Sequence, residues 1–297
     1  SARLLFDRTR SKITKLDVPA FTYGVGGQGL GTVYYAREGE QMGTFYGTQI
    51  PTSCAHLPDG VDCSLFEVND DGLLVYTGGT GFDNPQWGTS FTLPGAPAGD
   101  GAQTIFWGTP FSGYCTDRVS GEKTNYCPVG QAVPDYHVSL SSTLTWKGFQ
   151  LYGLLDSERG FDVYNQTAQW ATFRSNSAIM ESDDKPQGYY NRWYVGSGRL
   201  SPTTLFVQDG SYIKLREVSA RYTFGPDLLG RVPGLSRISG LTFSATGRNL
   251  YTWTDYTGYD PEIGKDGGDT GSSALARVDG YTYPNFRTYT LGLELNF

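Results

Sequence analysis

Aromatic side chains in two polar stretches are the first candidates for chemistry. Trp170, Tyr189, Tyr190 and Trp193 fall in one, and Trp253, Tyr256 and Tyr259 in the other. Aromatic faces of this kind stack against the C–H surfaces of sugar rings, while nearby Asp and Asn side chains take the hydroxyls. The same residues serve equally to pack loops together or to form a membrane-interface girdle, the role that suits Tyr251 and Trp253 best. Glu67, Asn69 and Asp71, followed by Gly72, imitate the opening of a calcium loop, with oxygen ligands at alternate positions and glycine at the sharp turn. The twelfth position is Gly78 where a bidentate glutamate belongs, so a plain turn is the competing reading. Asp260, Glu262, Asp266 and Asp269 read as a solvated acidic loop. The two histidines, His56 and His137, stand in no Ser/His/Asp arrangement, so no catalytic residue, enzyme activity, metal or cofactor is assigned.

Four cysteines come as two close pairs, Cys54 with Cys63 and Cys115 with Cys127 in sequence. Neither spacing is the CxxC of a zinc or redox site, so local disulfides in an oxidising compartment are expected, with the connectivity open.

The elements that must position these residues are strands. From Phe297 backwards, Leu295, Leu293, Leu291 and Tyr289 occupy one parity, opposed by Asn296, Glu294, Gly292, Thr290 and Thr288. Side chains alternate across a strand, so one face is apolar and the other polar or small. The pattern recurs over 138–146, 149–158, 211–224 and 238–250, and 286–297 closes the chain. The link at Lys147-Gly148 is short and 225–237 is moderate, while 159–210 and 251–285 are long, polar and aromatic-rich. All short links fall on one side and all long ones on the other, which is the asymmetry of short periplasmic turns and long extracellular loops in an outer-membrane barrel. Residues 1–136 contain strand-like pieces at 32–35, 43–46 and 73–76 among Gly- and Pro-rich stretches.

Composition agrees. With 40 Gly, 21 Tyr and 16 Phe against 18% charged residues, the chain favours all-β structure. No run of about 18 apolar residues predicts a membrane helix, but a barrel strand needs none. A net charge of −7 argues against nucleic acid.

Several segments resemble the C-terminal barrel of SusC/RagA-type TonB-linked outer-membrane proteins: Arg37–Gly47, Gly148-Phe-Gln-Leu, Asp209–Val218, Ala245–Glu262 and the ending Tyr283–Phe297. The resemblance implies the C-terminal portion of an antiparallel transmembrane β-barrel of about 22 strands around a plug. It implies a TonB-dependent importer of oligosaccharides or peptides in the outer membrane of a Gram-negative bacterium. Its implied partners are the remainder of the barrel and plug, a SusD-like surface lipoprotein, the TonB complex and the lipid bilayer. The terminal strand, with Tyr289, Leu291, Leu293, Leu295 and above all Phe297, would carry the membrane-assembly signal. No plug-like or TonB-interaction segment is evident, and about 22 strands of 10 residues would consume most of the chain before any loops. The expectation is therefore a fragment, a processed piece or a repurposed descendant. A structural or adhesive surface protein is the alternative function, and a soluble lectin-like sandwich the third.

Overall fold

A computed structural model describes residues 1–23, 33–95, 101–173, 185, 189, 202–231, 238–262, 277–281 and 283–296. The chain opens with β1 (Ala2–Asp7). A long excursion follows: β2 (Phe21–Tyr23), β3 (Tyr34–Ala36), β4 (Thr44–Thr48), β5 (Phe66–Val68), β6 (Leu74–Tyr76), β7 (Ser90–Leu93), β8 (Gln103–Phe106), β9 (Cys115–Thr116), β10 (Lys123–Thr124) and β11 (Tyr126–Gln131). Then come the long strands β12 (Tyr136–Trp146) and β13 (Phe149–Arg159), followed by β14 (Asp162–Tyr164), helix α1 (Gln166–Phe173) and β15 (Val207–Asp209). The chain returns in β16 (Tyr212–Phe224), β17 (Gly240–Thr254) and β18 (Thr288–Asn296).

Six of these make one antiparallel sheet, in the order β1-β12-β13-β16-β17-β18. Lys147 and Gly148, both at positive φ (45° and 84°), close the β12–β13 hairpin. Two positive-φ residues give the turn whose twist suits a two-residue hairpin. The other short-side connection carries one helical turn at Pro226–Leu229. At the opposite end β1–β12, β13–β16 and β17–β18 are joined by long excursions.

The sheet has two unlike faces. Leu4, Phe6, Leu140, Leu144, Leu151, Phe243, Leu291 and Leu293 all stand exposed on one of them. The registers align them, through pairs such as Leu4↔Leu140, Leu144↔Leu151, Phe243↔Leu293 and Ala245↔Leu291. Aromatics border this face at both ends. Trp146, Phe149, Tyr222, Phe224 and Phe243 lie toward the short turns; Phe6, stacked on Tyr136, lies toward the long loops with Tyr251 and Trp253. From Tyr136 to Trp146 the strand rises about 33 Å at roughly 3.3 Å per residue. Tilted by about 40°, that gives the roughly 25 Å apolar height of a membrane barrel. A soluble sandwich would turn such a face into its core, so the structure disfavours the lectin-like reading.

The other face is polar and cross-linked. Arg221 pairs with Glu294 at 2.9 Å and Arg248 with Glu217 at 3.0 Å. Ser219 meets Thr246 at 2.8 Å, Thr223 meets Thr242 at 3.0 Å, and His137 meets Asp156 at 2.5 Å.

The three long excursions pack on each other above this wall. One cluster draws Val33, Tyr34 and Phe45 from the first, Tyr164 and Phe206 from the second and Val278 from the third. A second, of Leu57, Phe66, Leu74, Leu93, Ile105, Phe111 and Tyr114, is the core of the first excursion alone. The segment 1–136, read only as scattered strands and loops, is thus mostly a folded lobe. Close approach fixes Gly47 in it, where a Cβ would fall 2.2 Å from the Pro202 carbonyl oxygen of the second excursion.

Two disulfides staple the lobe, Cys54–Cys63 and Cys115–Cys127, closing spans of 9 and 12 residues. Cross-links of that size stabilise by about 2.5–3 kcal/mol each on the chain-entropy model. Reduction should therefore loosen the lobe while the wall persists. Limited proteolysis with and without dithiothreitol checks this: new cleavages are expected within 50–130 and none in β12–β18.

Candidate functional site

The site of greatest physical interest lies where the polar face meets the long excursions, and a bulge creates it. Along β16, Val218, Ala220 and Tyr222 share the apolar face. Unbroken alternation would send Tyr212, Lys214 and Arg216 out beside them. Instead the ladder steps from Leu154↔Glu217 to Leu155↔Leu215, leaving Arg216 as an extra residue. A one-residue slip exchanges the faces. Ile213 and Leu215 now pair with Trp253 and Tyr251 on the apolar side, while Tyr212 and Lys214 turn inward. On β17 the compensating step falls at Asn249, whose φ of 51° is the left-handed value that Asn tolerates.

The inward cations meet carboxylates from the segment after β17. Lys214 Nζ donates to Asp260 Oδ1 at 2.5 Å and Glu262 Oε2 at 2.7 Å, with its side chain only 2% exposed. Arg216 forks between Asp156 of β13, at 2.5 and 2.9 Å, and both oxygens of Glu262, at 2.5 Å each. The Tyr212 hydroxyl donates to Glu262 at 2.9 Å. Burial alone would raise the Glu262 carboxyl, but hydrogen bonds and charge from Arg216 and Lys214 hold it well below the usual carboxylate range.

A second link ties the third excursion down. Arg277 donates to Glu158 at 2.7 Å, and its guanidinium lies 4.1 Å from the Phe161 ring centroid. Asp279 accepts from the Tyr256 and Thr167 hydroxyls at 2.7 and 2.9 Å. Burial and the charge of Asp279 push the Tyr256 phenol well above its ordinary value. Residues 255–262 and 277–281 thus form a strap clamped across the inner face by buried ion pairs. Asp260 and Glu262, expected in a solvated loop, are instead 6% and 9% exposed and hold that clamp. Asp266 and Asp269 lie outside the described residues. No short sequence spacing betrays the clamp, because the ion pairs of Asp260, Glu262 and Arg277 each join residues at least 46 apart.

The described members of the aromatic set proposed as a ligand surface sit in unlike surroundings. Trp253 stands on the apolar face, its ring centroid 4.7 Å from that of Tyr251. Tyr256 is buried in the strap and Tyr259 is fully outside. Trp170 lies half-buried on α1, and Tyr189 is buried 118 residues away from its hydrogen-bond partner Asp71. Tyr190 and Trp193 lie outside the described residues. The calcium-like segment is a hairpin turn between β5 and β6: the Asn69 side-chain oxygen accepts from the Asp71 and Leu73 amides at 3.1 and 2.9 Å. Lys185 bridges Asp70 and Asp71, and Glu67 lies opposite Val75 in the β5–β6 register. His56 accepts from the Thr52 amide at 3.2 Å, and burial lowers it. Tyr289, Leu291, Leu293 and Leu295 form the exposed apolar row of β18; Phe297 lies outside the described residues.

An antiparallel wall with an apolar girdled face, a polar cross-linked face and loops clamped at one end defines the class: this is β-barrel wall. No protein-family model matches the chain. It is 30% identical over 175 residues to TonB-dependent receptor P3 of Formosa agariphila, covering 57% of this chain and 17% of that protein. To TonB-dependent receptor P39 of the same organism it is 23% identical over 282 residues, 89% of this chain and 26% of that one. It therefore spans about a sixth to a quarter of each relative's length. The fold aligns over the whole chain with 27% of a chain in the RagAB peptide transporter, at TM-score 0.54 and 17% identity. It aligns likewise with the RagAB peptide importer in its closed-closed state, at TM-score 0.52. The chain is thus similar in sequence to one stretch of TonB-dependent receptors, and in fold to one stretch of a RagAB transporter chain.

Proposed function

We propose that this chain forms part of the wall and outer mouth of a TonB-dependent nutrient importer in the outer membrane of a Gram-negative bacterium. The observation that carries the reading is the segregation of the sheet. Its apolar face, bordered by aromatics, suits lipid, and its polar face suits a water-filled passage beneath a folded lobe. The strap would hold the lobe in place over that passage. Oligosaccharides or peptides are the proposed cargo, the latter by likeness to the RagAB peptide transporter. The remainder of the barrel with its plug, a SusD-like surface lipoprotein and the TonB complex are the proposed partners. The relatives' names are those of receptors and transporters, and no catalytic step is assigned.

The test is uptake. Cells lacking the protein should lose energy-dependent accumulation of at least one labelled oligosaccharide or peptide, and a copy carrying this chain intact should restore it. Unchanged uptake together with lost surface adhesion would favour the structural or adhesive alternative.

A further inference from the structure

We infer that a cleft of about 610 Å³ between the segment after β1 and the base of the lobe binds an anionic group, a carboxylate or a sulfate. This inference is independent of whether the wall imports anything. Arg10, Lys12 and Arg118 line the cleft with Glu40, Thr44 and Gln131. In a chain of net charge −7, three cations converging on one hollow are an anomaly.

Their partners do not explain them. Arg10 meets Asp135 only at 3.5 Å, with both side chains more than half exposed, a geometry that contributes little. Neither Lys12 nor Arg118 has a carboxylate partner among the described residues. The one carboxylate in the lining, Glu40, is 8% exposed and accepts from the Tyr46 hydroxyl at 3.0 Å.

The cations stand on fixed backbone. Ile13 donates to the Glu40 carbonyl at 2.9 Å and accepts from the Gly39 amide at 2.8 Å, which pins the 10–13 segment against the Gly39–Glu40 turn. Arg118 follows Asp117, which Arg37 grips through both carboxylate oxygens at 2.5 and 2.9 Å. Asp117 also caps the Val119 and Ser120 amides at 2.9 and 2.7 Å, inside the loop closed by Cys115–Cys127. That grip by Arg37 holds the Asp117 carboxyl well below its ordinary range. The opposite wall opens at the β11 bulge between Pro128 and Gly130, beyond which the Gln131 side chain donates to the Thr44 hydroxyl at 3.3 Å and its backbone amide to Asp162 at 2.8 Å. Cations without a strong carboxylate partner, carried side by side on fixed backbone, recognise an anion through charge-assisted hydrogen bonds.

Isothermal titration of the full chain in detergent micelles at low salt tests this, using sodium sulfate in one arm and N-acetyl-triglycine in the other. Binding is expected in at least one arm and should weaken at least tenfold in the Lys12→Glu, Arg118→Glu double variant. It should also weaken when Cys115–Cys127 is reduced and when salt is raised. Lys15→Glu, at a cation already paired with Asp17 at 2.7 Å, should bind as the parent does. Binding of the peptide alone assigns the cleft to carboxylates, and binding of sulfate as well assigns it to anions in general. Absence of binding in both arms, or a double variant that binds as tightly as the parent, would overturn the inference.

Discussion

Arginine in place of Leu140 is expected to cost the folded protein about 2–4 kcal/mol in a bilayer, whereas arginine at the adjacent Ser141 should cost roughly 0.5 kcal/mol or less. Leu140 is 43% exposed on the apolar face, near the midpoint between Tyr136 and Trp146. If lipid covers that face, the guanidinium lies at the depth where insertion is most expensive. Ser141 points the other way, toward Leu154 on the polar face, where an added charge meets water. Two adjacent residues with unlike costs separate a membrane wall from a sheet wetted on both faces, in which both positions would tolerate arginine. Reversible urea unfolding of the refolded protein in lipid vesicles gives the difference directly.

The second large effect lies at the clamp. Lys214→Met keeps most of the side-chain volume but strands Asp260, a carboxylate 6% exposed with the Lys214 ammonium 2.5 Å away. Breaking a buried pair from one side costs about 3–5 kcal/mol, more than its net contribution when intact, because the remaining charge is left unsolvated. The strap should then lift, and hydrogen exchange over 255–262 should rise while β12 and β13 stay protected. Adding Asp260→Asn should recover much of the loss, since no bare charge then remains.

Acid acts through Glu262. Its carboxyl is depressed in the folded state, so its stabilising contribution is complete above the ordinary glutamate range and is lost as pH falls through the depressed folded value. The strap should therefore hold at mildly acidic pH and release only in strong acid. Strap exchange measured across a pH series checks the sign.

The wall was legible in the sequence because strand parity is local. Leu291, Leu293 and Leu295 need only their own spacing to declare a face. The clamp was illegible for the converse reason: Arg277 and Glu158 lie 119 residues apart, and nothing near either announces the other. Parity also fails at Arg216, where a single extra residue reverses the faces of Tyr212 and Lys214 and no glycine marks the place. The strand expected over 238–250 runs on to Thr254, since Asn249 absorbs the step and lets Tyr251 and Trp253 continue the ladder. Polar composition suggested long loops over 159–210 and 251–285. In the structure several of their buried aromatics and charges find partners far off in sequence, as Tyr189, Tyr256 and Asp260 show.

The central claim is that the exposed apolar face meets lipid while the polar face meets water. Single cysteines at successive positions 138–146, spin-labelled in bilayers, test it most directly, the four native cysteines being held in disulfides. The account predicts a period of two, with labels at 138, 140, 142 and 144 accessible to oxygen and those at 139, 141, 143 and 145 accessible to an aqueous nickel chelate. Uniform aqueous access along the strand, or the opposite phase, would contradict it.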